Sequence, residues 1–308
     1  MSPQGLNRVR GRANLVDFPG SQTTSEGAKA WLLDRATGQR LRVYRCEDGR
    51  ILANPRQGDR PPAAIISIPK AGTYMVGLLL ERLGYHDSEL HVSQTFLTDY
   101  RAMSVAEKRR PAFNECNYAL PIGASAQLIG DGQFLVGHLR AEDDARRALA
   151  GFKKVFLYRD LVDATISHLR FIIDTGRAPP DAAWAAMEPS PVQALGFLGD
   201  FGDFLFNRAY RPLLGWLDEA DVFAISFEEL SGDRGLKHRA ARLRELGGFL
   251  GGDEDLEALL ASHVMGRETK TLSSGRTRTE AYLDDAVRQA FRELGINTLH
   301  DRLGYPPV

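Results

Sequence analysis

The stretch Ile65-Ile66-Ser67-Ile68-Pro69-Lys70-Ala71-Gly72-Thr73-Tyr74 decides the fold. Four aliphatic and small residues in a row read as a buried strand, and Pro-Lys-Ala-Gly-Thr breaks it. Met75, Leu78, Leu79 and Leu83 then recur at helical spacing and predict a helix with that face turned toward a sheet. A strand, a glycine turn and a new helix make the layout of an anion cradle. The glycine admits an anion close to the backbone, the helix start offers N–H groups, and Lys70 and Thr73 add a charge and a hydroxyl. The plainer reading is an ordinary strand-to-helix loop with the residues such loops favour.

The usual nucleoside-triphosphate loop, Gly-x-x-x-x-Gly-Lys-Ser/Thr, carries its lysine after the second glycine. Here Lys70 precedes Gly72, so that motif is absent. A second segment repeats the layout: Lys154-Val155-Phe156-Leu157-Tyr158 reads as a strand, followed at once by Arg159-Asp160-Leu161-Val162-Asp163-Ala164-Thr165-Ile166-Ser167. Val162, Ile166, Leu169 and Ile173 mark the inward face of its helix. Arg159 then falls at the carboxyl end of a strand, where open α/β sheets bind ligands, with Ser167 about two turns into the helix. A guanidinium fork suits a phosphate and a serine hydroxyl adds a bond. The plainer readings are an ion pair of Arg159 with Asp160 or Asp163, and a solvated Ser167.

Together these two loops resemble the signatures of sulfotransferases that use 3′-phosphoadenosine 5′-phosphosulfate (PAPS). The resemblance implies a first loop, Lys70, Ala71, Gly72, Thr73 and Tyr74, around the 5′-phosphosulfate, and Arg159 and Ser167 on the 3′-phosphate. Leu161 stands where that family often has proline, and Tyr74-Met75 where Thr-Trp is common. Phe134-Leu135-Val136-Gly137-His138-Leu139 is similar to the family's strand ending in its general-base histidine. His138 is therefore the catalytic candidate, with Lys70; Val136 replaces the family lysine two places earlier. Some carbohydrate sulfotransferases take the base from the segment after the first helix, where Glu89 and His91 stand as rivals, Glu89 alternatively a solvated charge near a helix start. A lone histidine is more often structural, which is the plainer reading of His138, and His91 is alternatively a loop residue or a substrate contact.

Asp221 to Leu230 reads as a further strand and turn, similar to the family's Tyr-Glu-Asp-Leu strand end. Leu243, Leu246, Phe249 and Leu250 predict a helix stopped at Gly251-Gly252. Ser274, Gly275 and Arg276 lie where the family closes a loop over the 3′-phosphate, and Phe291 to Tyr305 is similar to its C-terminal helix. The stretch from Tyr85 to Gln133 mixes aromatics with polar residues in the manner of an acceptor-binding insert. Tyr100, Phe113 and Tyr118 within it are expected to fill a local core.

The expected fold is therefore α/β, a three-layer P-loop-type arrangement with a central parallel sheet and helices on both faces, over residues 61–308. Residues 1–60 form an N-terminal arm and a small antiparallel meander, from Trp31-Leu32-Leu33, Leu41 to Tyr44 and Ile51-Leu52 with turns between. It can cover a sheet edge, lid the acceptor or make a homodimer contact. The 308 residues carry a net charge of −1, which argues against bulk nucleic-acid binding and requires cations for a polyanion to be concentrated locally. Cys46 and Cys116 show neither a disulfide framework nor metal spacing. No apolar signal core opens the chain and no stretch approaches a membrane span, so cytoplasm is the expected location. The expected function is sulfuryl transfer from PAPS, without a metal, to a hydroxyl or amine of a small-molecule or glycan acceptor. The alternatives are a nucleotide-dependent phosphotransferase and a non-catalytic nucleotide-binding module.

Overall fold

The computed structural model describes residues 31–33, 40–45, 51–54, 58–100, 117–252, 255–261 and 279–308. Three short strands, β1 (Trp31–Leu33), β2 (Arg40–Arg45) and β3 (Ile51–Asn54), pair antiparallel in the order β1-β2-β3, the expected meander. The main sheet has seven strands: β4 (Ala63–Ser67), β5 (His86–Val92), β6 (Leu97–Asp99), β7 (Asn117–Tyr118), β8 (Gln133–Gly137), β9 (Lys153–Tyr158) and β10 (Val222–Ser226). Their order is β10-β9-β4-β8-β5-β6-β7. The first five run parallel, and β6 and β7 add antiparallel at one edge, so the sheet is mixed where the sequence predicts a parallel one. The reason is local. Part of the segment read as an acceptor insert continues the sheet: Ser88, Leu90 and Val92 of β5 are buried, and a tight turn closed by Ser93 N–H to Phe96 O (2.9 Å) returns the chain antiparallel as β6.

Parallel strands buried on both faces read as continuous apolar runs, and β4 and β8 are buried along their whole length. Helix α1 (Thr73–Arg82) packs on β4, β5 and β8. Its buried face is Val76, Leu79 and Leu80, continued by Leu83 just past its end, while Met75 and Leu78 are only partly buried. The predicted face was thus rotated by about one residue, because the segment carries two overlapping apolar stripes and the sheet chooses between them. Helix α2 (Leu161–Asp174) buries Val162, Ile166, Leu169 and Ile172, with Ile173 partly buried beside them. Helices α3 (Pro191–Asp203), α4 (Phe227–Ser231) and α5 (Leu236–Leu250) follow, α5 ending at Gly251 in the left-handed conformation that the glycine pair predicts. The single C-terminal helix predicted is two, α6 (Asp285–Glu293) and α7 (Ile296–Leu303), separated by Gly295 at φ 80°.

The chain leaves β4 toward β5, returns to place β8 between them, then crosses to β9 on the other side of β4. This is a topological switch, and crevices for ligands open at the carboxyl ends of the strands beside such a point. Register brings those ends level. Ile66 pairs with Gly137 and with Phe156, Ser67 with Leu157, and Ser226 with Tyr158. The residues that follow each strand, Lys70, His138, Arg159 and Phe227, therefore emerge along one edge.

Among the described residues no helix is long and apolar enough to cross a membrane, and no group of three metal-ligating side chains is found. Tyr118 is fully buried, as expected of a core aromatic, and Tyr100 is partly so. Residues 1–25, Cys46, Cys116, Phe113 and the Ser274, Gly275 and Arg276 segment lie outside the described residues.

Candidate active site

The first loop is held by its backbone. Ile68 N–H donates to Leu157 O (3.0 Å), Ala71 N–H to Ile68 O (3.1 Å), and Ala71 is fully buried. Lys70 takes φ 68° and Gly72 φ 93°. A left-handed conformation at lysine is uncommon, and such strain concentrates at functional sites. Gly72 is also required sterically, since a Cβ there would come within 2.9 Å of the Phe227 ring. Gly72 is the N-cap of α1 and gives it no side-chain cap, so the first-turn N–H groups face the loop. This is a backbone cradle of the kind that fits an anion.

Lys70 reaches across to α2, its Nζ lying 4.6 Å from the centre of the Phe171 ring. Burial, with Arg159 next in weight, lowers its pKa from 10.5 to about 8. It still carries its proton at neutral pH. Tyr74 is partly buried, and burial with Tyr100 and Asp87 pushes its phenol up. The Thr73 hydroxyl shares a hydrogen bond with Ser67 Oγ (2.6 Å), and Ser67 joins this loop to His138.

His138 Nδ1 is 2.7 Å from Ser67 O. A carbonyl only accepts, so Nδ1–H donates and the lone pair is left on Nε2. Burial lowers the His138 pKa, and the Lys70 charge lowers it further against the Ser67 bond, which raises it. The imidazole is thus a neutral base at physiological pH. His91 packs against it edge-on, ring centres 5.1 Å apart. That meeting depends on an irregularity in β5: the register with β8 slips between Asp87 and His91, with Glu89 at φ 55° in the bulge. Glu89 is within a strand, not near the helix start that its plainer reading supposed. Gly137 makes the close approach possible, because a Cβ there would sit 2.3 Å from Val92 O.

The second loop works differently. Asp160 caps α2 with its own carboxylate, accepting from Val162 N–H (2.9 Å) and Asp163 N–H (3.1 Å), and Leu161 N–H donates to His300 Nε2 (3.2 Å). With those amides taken, an anion here must be met by side chains. Arg159 lies over the Phe227 ring (4.4 Å) and is aimed by Asp163 (3.3 Å) and Glu228 (4.0 Å). The plainer reading of an Arg159–Asp163 pair is thus also correct. Arg159 Nε is nonetheless buried without a hydrogen-bond partner, a donor that a phosphate would satisfy. Ser167 is buried on α2, and Asp163 is further engaged by Thr279.

Three groups at the site were missed in the sequence. Phe227 touches both Gly72 and Arg159 and spaces the two loops; its only signal was its place after β10. His168, next to Ser167, stands between the Phe171 and Phe197 rings (6.2 Å each), and burial lowers its pKa to about 3. Its Nδ1 is buried without a partner. Arg177 stacks on Phe171, its Cζ 4.7 Å from the ring centre.

No family model matches the chain and no curated protein matches it. Among solved structures it is similar to mouse sulfotransferase SULT7A1 complexed with PAP, at 16% identity and TM-score 0.47, over 82% of this chain and 91% of that one. It is also similar to retinol dehydratase in a complex with retinol and PAP, at 13% identity and TM-score 0.45, over 87% of this chain and 91% of that one. A complex of retinol dehydratase with androsterone and inactive cofactor PAP gives 13%, 0.47, 86% and 91%. The functional reading rests on the site's own residues.

Proposed function

We propose that the chain transfers a sulfuryl group from PAPS to a hydroxyl or amine of a small-molecule or glycan acceptor. The observation that carries this reading is the convergence of two unlike anion sites and a neutral histidine base along one sheet edge. One site is a backbone cradle with a lysine, the other a side-chain fork, and Phe227 separates them. A ligand with phosphate groups at two ends fits such a pair. When bound, PAPS supplies the sulfuryl group and leaves as adenosine 3′,5′-bisphosphate. The amides around Gly72, with Thr73, hold the 5′-phosphate, and Arg159 and Ser167 hold the 3′-phosphate. Lys70 neutralises charge that grows on the oxygen leaving sulfur. His138 Nε2 takes the acceptor proton as that oxygen or nitrogen attacks, while Ser67 O keeps the other ring nitrogen protonated.

The test is transfer of labelled sulfate from PAPS to a panel of hydroxyl and amine acceptors, with magnesium-ATP as the competing donor. Transfer from PAPS that His138→Ala abolishes supports the reading. Transfer of phosphate from ATP, with none from PAPS, refutes it.

A further inference from the structure

Strand register sets a pair of hydroxyls beside the base. In the parallel pairing of β4 with β8, Ile66 stands against Gly137, so the next residues, Ser67 and His138, leave the sheet as neighbours. The chain after His138 is pinned at three points. Leu139 O accepts from Trp216 Nε1–H (2.7 Å), Arg140 N–H donates to Gln94 Oε1 (3.0 Å), and Ala141 N–H donates to Pro212 O (3.1 Å). The ring is thereby held against Ser67, with Nδ1 2.7 Å from Ser67 O and 3.3 Å from Ser67 Oγ. Ser67 Oγ in turn lies 2.6 Å from Thr73 Oγ1, on the first turn of α1.

The carbonyl fixes the direction of these bonds. Nδ1 must carry its hydrogen to bond Ser67 O, so it cannot accept from the Ser67 hydroxyl, and it donates a second, longer branch to Ser67 Oγ. The Ser67 hydrogen is left with one acceptor among the described residues, Thr73 Oγ1. Thr73 then has its own hydrogen to place, and no other residue of the described set bonds its hydroxyl. The opposite order, Thr73 donating to Ser67, would strand a hydroxyl hydrogen at Ser67, which is fully buried, and an unmade bond there is costly. The order with Ser67 as donor leaves the open donor on Thr73, at the cradle, where an anion accepts it.

We infer that Ser67 is a positioning residue that links the anion cradle to the base: an anion at the first turn of α1 accepts from Thr73, Thr73 accepts from Ser67, and Ser67 accepts from His138 Nδ1–H. The inference rests on the proposed function for calling that anion the 5′-phosphate of the nucleotide and His138 the base. Hydrogen bonds in a chain polarise one another, so each link makes the next oxygen a better acceptor. A better acceptor on Nδ1–H makes Nε2 more basic. Filling the nucleotide site thus readies His138 for the acceptor proton, with every proton of the chain staying on its own atom.

The test follows the ring nitrogens of His138 by proton–nitrogen NMR correlation in protein labelled at its histidines, assigned by their loss in His138→Ala, before and after saturation with adenosine 3′,5′-bisphosphate. In wild type Nδ1 should be the protonated nitrogen, and its resonance should move downfield when nucleotide binds. Ser67→Ala and Thr73→Val should each lose roughly half of that movement or more, the double variant should lose no more than the larger single loss, and Thr73→Ser should keep the movement. Nucleotide charge acts on the ring through space in every variant, as the Lys70 charge does, so the part that the substitutions remove is the part the hydroxyls carry. A proton found on Nε2, a wild-type resonance that nucleotide leaves in place, or a movement that survives either single substitution overturns the inference. So does an additive loss in the double variant. If Ser67→Ala does not fold, Thr73→Val against Thr73→Ser decides by the same criterion. If wild type does not bind the nucleotide, the proposed function falls. Pyrophosphate then reads the link by itself, and absence of movement with it overturns the link as well.

Discussion

Under the proposed function Lys70, His138 and Arg159 each meet a different demand, and replacing them should give different losses. Lys70 keeps its charge at neutral pH, although burial has brought its pKa down to about 8. Lys70→Ala should lower turnover by about a hundredfold or more, the scale for removing one stabiliser of transition-state charge. A polyanion bound beside Lys70 raises its proton affinity. Near pH 8 nucleotide binding should therefore take up protons, measured as a dependence of the calorimetric enthalpy on buffer ionisation, and Lys70→Met should remove it. His138 differs, because its role depends on being neutral. Its lowered pKa moves the acid limb of the pH–rate profile below the usual histidine range, since activity is lost only as the ring gains a proton. His138→Ala should reduce the rate roughly 10²- to 10⁴-fold with nucleotide affinity nearly unchanged. If that variant stays active while His91→Ala or Glu89→Ala is inactive yet still binds nucleotide, the base lies on β5.

At the scale of elements, the site depends on how closely backbones approach. Gly137 lets β8 pass within a Cβ radius of the Val92 carbonyl, and this pairing holds His91 against His138. Gly137→Ala must push backbone apart and should destabilise the fold by about 1 to 3 kcal/mol, read from urea unfolding, with a larger fall in turnover than in nucleotide binding. The helix that carries Ser167 is braced from the C-terminus: buried His300 accepts from Leu161 N–H and donates from Nδ1 to Pro306 O (2.8 Å). Tyr305 donates to Glu228, which also accepts from Asp160 N–H (3.3 Å). These ties explain what the sequence did and did not disclose. Both loops were legible because their signals are local: an apolar strand, a breaker, a charge and a new helical period within about a dozen residues. The partnership of Gly72, Arg159 and Phe227 was not, because it comes from strand order and register across segments more than sixty residues apart. The same holds for the buried face of α1, where Met75 and Leu78 compete with Val76 and Leu80 until a sheet selects one stripe. Arg177 was hidden for another reason, since only the closing turn of α2 brings it back to Phe171.

Taken over the whole molecule, a net charge of −1 conceals a local concentration of cations: Arg159, Arg170 and Arg177 act electrostatically on Lys70, with the carboxylate of Asp174 partly offsetting them. Under the proposed function, that concentration makes the carboxyl edge of the sheet the face that receives the polyanionic cofactor. Burial of a histidine beside these cations also leaves a trace in stability. His168 is neutral in the folded protein down to about pH 3, whereas an unfolded histidine titrates near 6.5. Between those values the unfolded chain binds the extra proton, so stability is present above pH 6.5 and is lost as pH falls toward 3. The slope from this residue approaches about 1.4 kcal/mol per pH unit in the window, and His168→Phe should flatten the measured dependence of urea stability on pH there.

The most direct measurement is calorimetric titration of wild type and Arg159→Ala with adenosine 3′,5′-bisphosphate and with 5′-AMP. Loss of one charge-assisted phosphate contact is worth about 1.5 to 3 kcal/mol, so wild type should prefer the bisphosphate by roughly 10- to 150-fold, and Arg159→Ala should lose most of that preference while binding 5′-AMP almost as before. Equal affinity of wild type for the two nucleotides, or equal losses for both in Arg159→Ala, would contradict the assignment of one two-ended nucleotide to the two loops.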